Sequence, residues 1–209
     1  MNYYPIFLNL KGKKAVVVGG GRVAERKILS LIKAGASVTV VSPSLTKRLL
    51  RVRSQKKIRH LPRRFRGNDL REAFLVVSAT DSFATNREVA ANAPALVNVV
   101  DVPSECNFIA PSVLKRGPLV IAISTSGVSP ALSKTLRKEL EGLYGSEFSA
   151  YLKFLKRVRV KALIEIGHRK RRETFLKSLA SQKILLTLRE KGIDAVKKVV
   201  TERLKKVVK

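Results

Sequence analysis

Gly19, Gly21 and Ala24 are spaced G-x-G-x-x-[G/A] within the stretch AVVVGGGRVAERK, residues 15–27. That spacing carries a chemistry when it follows a strand and opens a helix. The first glycine permits a tight turn, and the second lets the backbone approach a pyrophosphate. The small third residue lets helix and strand pack closely, and the helix N-terminus offers oriented N–H groups. Dinucleotide binding is the expectation, set against a purely structural turn. An acid about 20 positions on would hold a ribose 2′-hydroxyl. Here the chain reads Val41-Ser42-Pro43-Ser44, with Lys47 and Arg48 close behind, so these residues leave NAD and NADP both open.

Asp101 ends the apolar run Leu96–Val100. A carboxylate at the carboxyl edge of a parallel sheet could take the proton in a dehydrogenation, or it could cap the turn at Val102-Pro103. Asn98 either faces a nicotinamide pocket or satisfies backbone groups. Asp81, before a helical pattern, reads as an N-cap. Ser124, Thr125, Ser126 and Ser129 form a hydroxyl-rich loop ahead of another helix, a candidate clamp for substrate carboxylates. The single cysteine, Cys106, reads as a small buried side chain. His60 and His168 are the only histidines, and neither sits in a metal-ligating pattern, so no metal site is expected.

Elements must hold these residues in place. Strands are predicted at Ala15–Val18, Ser37–Val41, Ile58–Leu61, Phe74–Ala79 and Leu96–Val100. Helical patterns lie at Arg22–Ala34, Leu45–Val52 and about Ser82–Asn92, with Gly35 ending the first. Strands alternating with helices imply βαβ units and a parallel sheet. After Asp101 two β-like runs flank a turn at Arg116-Gly117-Pro118. Ser129-Pro130 then caps a helix running to about Glu141 and stopping at Gly142. From Ser146 the pattern is helical, broken near Gly167 and Gly192. The expected fold is α/β: a Rossmann-like parallel sheet over residues 1–112, a small αβ segment over 113–145 and a helical domain over 146–209.

The formal net charge is +28, with ten Lys or Arg and no acid between residues 47 and 66. Such an excess steers polyanions: nucleic acid, anionic lipid or a polycarboxylate. A solvated basic surface explains it equally well. Hydrophobic residues make up 45% of the chain and no run is long enough for a membrane span, so a globular, soluble protein is expected. With one cysteine and no internal disulfide, the setting expected is the cytoplasm.

Several stretches taken in order resemble one family. They are YPIFLNLKGKKAVVVGGGRVAERK, VVSATDSFATNREV, VNVVDVPSECNFIAPSVLKRGPLVIAIST and GVSPALSKTLRKELE, from Tyr4 to about Glu141. The family is the precorrin-2 dehydrogenases, also found as the N-terminal module of siroheme synthase. The resemblance implies NAD-dependent oxidation of precorrin-2 to sirohydrochlorin, on the route to siroheme. It implies homodimers joined through the segment 113–145. It also implies cofactor contacts at Arg22, Val23, Pro43, Ser44 and Thr80, with Asp101 on the position of the family's catalytic aspartate. Ser126 departs from the pattern, standing where glycine is common. The substrate's many carboxylates give the basic excess a second explanation.

Some members of that family also insert ferrous iron, so a bifunctional dehydrogenase–ferrochelatase is a nested alternative. A nucleic-acid-binding protein is an alternative of another class, but the basic stretches lack interleaved aromatics and any binding motif. No specific nucleic-acid partner is therefore expected. A dinucleotide-binding regulator without activity is a third reading, against which the intact Asp101 argues.

Overall fold

The computed structural model describes residues 3–208. The chain forms two compact units that divide after Ala110. In the first, β1 (Lys14–Val18), β2 (Ser37–Val41), β3 (Arg59–Leu61), β4 (Leu75–Ser78) and β5 (Leu96–Val99) lie parallel in the order β3-β2-β1-β4-β5. Strands β1, β4 and β5 are mostly apolar because both faces are covered, whereas β3 at one edge is Arg59-His60-Leu61. Ala15 and Val17 pack with Ala24, Ile28 and Leu31 of α1 (Arg22–Lys33) and Leu49 and Val52 of α2 (Lys47–Ser54). Val16, Val18, Val97 and Val99 pack on the opposite face with Val89 of α3 (Phe83–Asn92). Each fully buried aliphatic side chain contributes about 1.5–3 kcal/mol.

Local chemistry sets the boundaries. Gly35, just beyond the Ala34 cap of α1, takes the left-handed φ of 84° expected of a helix-ending glycine. The helix expected over Leu45–Val52 begins later, because the Thr46 hydroxyl accepts the Leu49 N–H and caps it. Between β3 and β4 a short 3-10 turn, Gly67–Leu70, replaces a full helix, and Arg63 grips Asp69 with bonds of 2.8 and 2.5 Å beside it. Strand order reverses between β1 and β4. Their carboxyl ends therefore bound the crevice where ligands bind in open α/β sheets.

The second unit opens with an antiparallel hairpin, β6 (Ser112–Arg116) and β7 (Leu119–Ile123), turned at Gly117 with φ 59°. In α4 (Pro130–Leu143) Ser129 caps the Leu132 N–H and Pro130 fills the first position. The helix does not stop at Gly142 as expected. That glycine stays out of the left-handed region and Tyr144 serves as C-cap, an internal glycine costing only about 1 kcal/mol. Three helices follow: α5 (Glu147–Glu165), α6 (Arg169–Ser178) and α7 (Gln182–Val208), the last interrupted at Gly192 (φ 75°).

The turn at Leu179–Ser181, which has neither glycine nor proline, was not expected from sequence. It is fixed from elsewhere, by the Tyr151 hydroxyl donating to the Leu179 carbonyl. Phe148, Tyr151, Phe175, Leu188, Val196 and Val200 fill the core of these helices. Burial pushes the Tyr151 hydroxyl pKa up to about 12. Among the described residues no helix is long and apolar enough to cross a membrane.

Candidate active site

The loop after β1 is shaped by two glycines that tolerate nothing larger and one that faces open space. Gly19 has φ 116°, and a Cβ there would stand 2.2 Å from the Ala79 carbonyl oxygen. A Cβ on Gly20 would stand 2.0 Å from the Ser44 carbonyl oxygen. At Gly21 a Cβ would meet no protein atom within 4 Å. Gly21 is the N-cap of α1 and supplies no side-chain cap. The first backbone bond of the helix runs from Glu25 N–H to Gly21 O. The N–H groups of Arg22, Val23 and Ala24 are thus left without intrahelical partners, which suits an anion. Arg22 and Val23 are both exposed at this mouth. These features fit a dinucleotide pyrophosphate.

At the carboxyl end of β2, Pro43 and Ser44 are exposed, while Ser42 is buried and its hydroxyl donates to Ser44 O at 2.8 Å. Thr46 donates to Glu25 at 2.5 Å and Arg48 lies 3.6 Å from the same carboxylate. An acid from α1 therefore stands beside Arg48, one of the two cations considered for a 2′-phosphate. The His60 ring bonds Ser42 O at 2.9 Å, a structural use.

At the end of β4 the hydroxyls of Thr80 and Ser78 donate to Asn86 Oδ1 at 2.7 and 2.8 Å, and Asn86 Nδ2 donates back to Thr80 O at 3.0 Å. Asn86 is buried on α3 and was not anticipated from sequence. Asp81 is not the N-cap of α3. Ser82 is, accepting the Thr85 N–H at 3.2 Å, because it sits at the extended residue next to the helix.

Asp101 follows β5 with φ 63°, exposed, and its carboxylate has no hydrogen bond or ion pair among the described residues. It does not cap the turn after it. Aspartate enters the left-handed region more readily than most residues, and backbones held there cluster at active sites. Asn98 is buried. Its Nδ2 donates to Phe108 O at 3.1 Å, and its Oδ1 accepts from Lys27 Nζ of α1 at 3.4 Å. Cys106 is buried, accepting from Val99 N–H at 3.1 Å and donating to Val99 O and Val102 O. Burial lowers the Lys27 pKa below the usual lysine value and Arg26 adds to this, while Cys106 and Asp101 pull it back up.

Gly19, Gly21, Pro43, Ser44, Thr80 and Asp101 thus lie in the loops at the carboxyl edge of one sheet, with Arg22 and Val23 in the first turn of α1 beside them, and Asn98 lies within β5 beneath. Ser124, Thr125, Ser126 and Ser129 belong to the second unit, between β7 and α4. There Thr125 Oγ1 accepts Ser129 N–H at 3.0 Å and donates to Ser129 O at 2.9 Å, and Ser129 caps α4. Ser126 takes φ 53°, the conformation for which a glycine is favoured, and its N–H donates to Ser124 Oγ at 2.9 Å. No group of three or more His, Cys, Asp or Glu stands together among the described residues.

Residues 6–112 match the family described as "Putative NAD(P)-binding", and residues 116–143 the one described as "Sirohaem biosynthesis protein central". Siroheme synthase of Methylobacillus flagellatus is 38% identical over 210 residues, covering 97% of this chain and 45% of that protein. Siroheme synthase of Neisseria meningitidis serogroup B is 46% identical over 146 residues, covering 68% of this chain and 30% of that protein. The chain spans less than half the length of either relative. Among solved structures, SirC, precorrin-2 dehydrogenase, matches with a TM-score of 0.84 at 29% identity, covering 98% of this chain and 100% of that one.

Proposed function

From the premise that this chain belongs to the NAD(P)-binding family that takes in precorrin-2 dehydrogenase and the matching part of siroheme synthase, we propose that it oxidises precorrin-2 to sirohydrochlorin with NAD, a step toward siroheme. The observation that carries this is the meeting at one sheet edge of an uncapped glycine loop and the Asp101 carboxylate, which is unpaired among the described residues. Likeness to the dehydrogenase over nearly the whole chain supports it.

Bound NAD supplies the hydride acceptor. The N–H groups at the start of α1, with Arg22 and Val23, hold the pyrophosphate. Pro43 and Ser44 border the adenosine ribose, and Thr80, braced by Asn86, borders the other half of the cofactor. We favour NAD over NADP because the Glu25 carboxylate beside Arg48 sets a negative charge where a 2′-phosphate would have to lie. Oxidation removes a hydride and a proton from the substrate, and Asp101 takes the proton. The loop of Ser124, Thr125, Ser126 and Ser129 receives substrate carboxylates. Exposed Ser124 and Ser126 make the contacts, while Thr125 and Ser129 hold the loop's shape.

A second copy of the chain completes the working form. Residues 113–145 join the copies, where Val113, Val128, Leu132 and Leu143 stand exposed. A cytoplasmic setting accords with the lone thiol. The test is anaerobic incubation with precorrin-2 and either NAD or NADP. Sirohydrochlorin and NADH rising together support the reading, and absence of product from protein that binds NAD contradicts it.

A further inference from the structure

We propose that Lys27 is a positioning residue that ties the dinucleotide helix to the loop bearing Asp101, through the side chain of Asn98. As to its use in catalysis, this rests on the reaction proposed above.

Lys27 lies on α1, three residues beyond Ala24, the last residue with a free N–H at the helix start. Its ammonium can only donate, so Asn98 turns Oδ1 toward it, at 3.4 Å. The amide's NH2 then faces Phe108 O at 3.1 Å and Cys106 Sγ at 3.5 Å. Cys106 in turn holds Val99 through both its N–H and its carbonyl, and it also reaches Val102 O. The segment from Val99 to Phe108 is therefore a closed circuit of bonds pinned at one point to α1. Asp101 stands inside this circuit with a left-handed backbone and a carboxylate that has no hydrogen bond or ion pair among the described residues. On one side the Val100 N–H, bonded to Ser78 O at 2.9 Å, fixes the chain before it, and on the other the circuit sets where the carboxylate lies.

Packing does not require a cation here. Ala24, Ile28 and Leu31 already seat α1 on the sheet, and an ammonium drawn out of water is costly without compensation. The charged or ionisable groups acting on it are Arg26 on its own helix and Asp101 and Cys106 from the β5 loop. Two of these three lie on the segment it holds.

Cys106, the sole cysteine, reports on the circuit. Native-state alkylation of Cys106 should quicken about tenfold or more in Lys27→Met, as local opening becomes easier. In the same variant kcat should fall about tenfold with the Kd for NAD within about threefold of wild type. Lys27→Arg, which keeps the cation, should restore both to within about threefold. Lys33→Met, on the same helix but exposed, should change neither.

Wild-type kcat should also decline on the alkaline side below the ordinary lysine value of 10.5, and Lys27→Arg should move that decline upward. If Lys27→Met does not fold, Asn98→Leu cuts the circuit at its other end and should give the same alkylation rise. Unchanged alkylation in Lys27→Met, or an arginine variant as impaired as the methionine one, would overturn the proposal. A wild type that leaves precorrin-2 untouched while alkylation still follows Lys27 would refute the reaction and support the positioning.

Discussion

Gly19 and Ala79 touch across the strand-order reversal: a methyl group on Gly19 would stand 2.2 Å from the Ala79 carbonyl oxygen. The glycine loop is thus fitted closely to the residue that follows β4. Gly19 and Gly21 should fail differently for this reason. Gly19→Ala adds a backbone clash to a φ of 116° and should cost at least about 2 kcal/mol of stability. Gly21→Ala meets no protein atom within 4 Å, with φ −78°, and should leave the melting temperature unchanged. Its methyl group occupies the space a pyrophosphate needs, so NAD binding should weaken about tenfold or more. Calorimetric unfolding and titration with NAD, run on both variants, check the contrast.

Asn86 serves three groups at once, accepting from Ser78 and Thr80 and donating to the Thr80 carbonyl. Asn86→Ala leaves a buried hydroxyl unpaired and should cost about 1–3 kcal/mol. Thr80 would lose its orientation as well, so the Kd for NAD should rise by about threefold or more. Urea unfolding and NAD titration measure the two effects separately.

In the second unit Tyr151 sets a pH dependence. Its pKa, ordinarily 10.0, is raised to about 12 in the fold, chiefly by burial. The folded form therefore keeps a proton that the unfolded chain loses. This contribution is complete below pH 10 and is lost as pH rises toward 12. Tyr151→Phe should cost about 1–3 kcal/mol at neutral pH, since the Leu179 carbonyl loses its donor. The alkaline loss attributable to this group should disappear with it. Unfolding free energies of both proteins at neutral and alkaline pH provide the comparison.

Much of the fold was legible in the sequence because its signals are local. Apolar runs such as Ala15–Val18 and Ser37–Val41 announce strands buried on both faces, and Gly35 announces a helix end by the backbone angle it must adopt. What stayed hidden depends on register between distant segments. Nothing in the spacing of Lys27 and Asn98 tells that an α1 side chain reaches β5, 71 residues on. Nor does it tell that Asn86 lies beneath Thr80. The GGG run is a clue to Gly20, whose neighbour is the backbone of Ser44, but clashes are invisible without coordinates. Asp81 and Ser82 are both good caps by type, and only the backbone angles choose Ser82. The turn at Leu179–Ser181 lacks breaker residues and is held by a tyrosine 28 residues away.

Asp101 is proposed to take a proton beside a bound dinucleotide. This role is tested most directly by mixing precorrin-2 anaerobically with protein preloaded with NAD, following NADH in a single turnover for wild type and Asp101→Asn. Wild type should give a full burst of NADH and sirohydrochlorin. Asp101→Asn should be slower by about a hundredfold or more, with the Kd for NAD within about twofold. An asparagine variant that turns over at the wild-type rate would contradict that role.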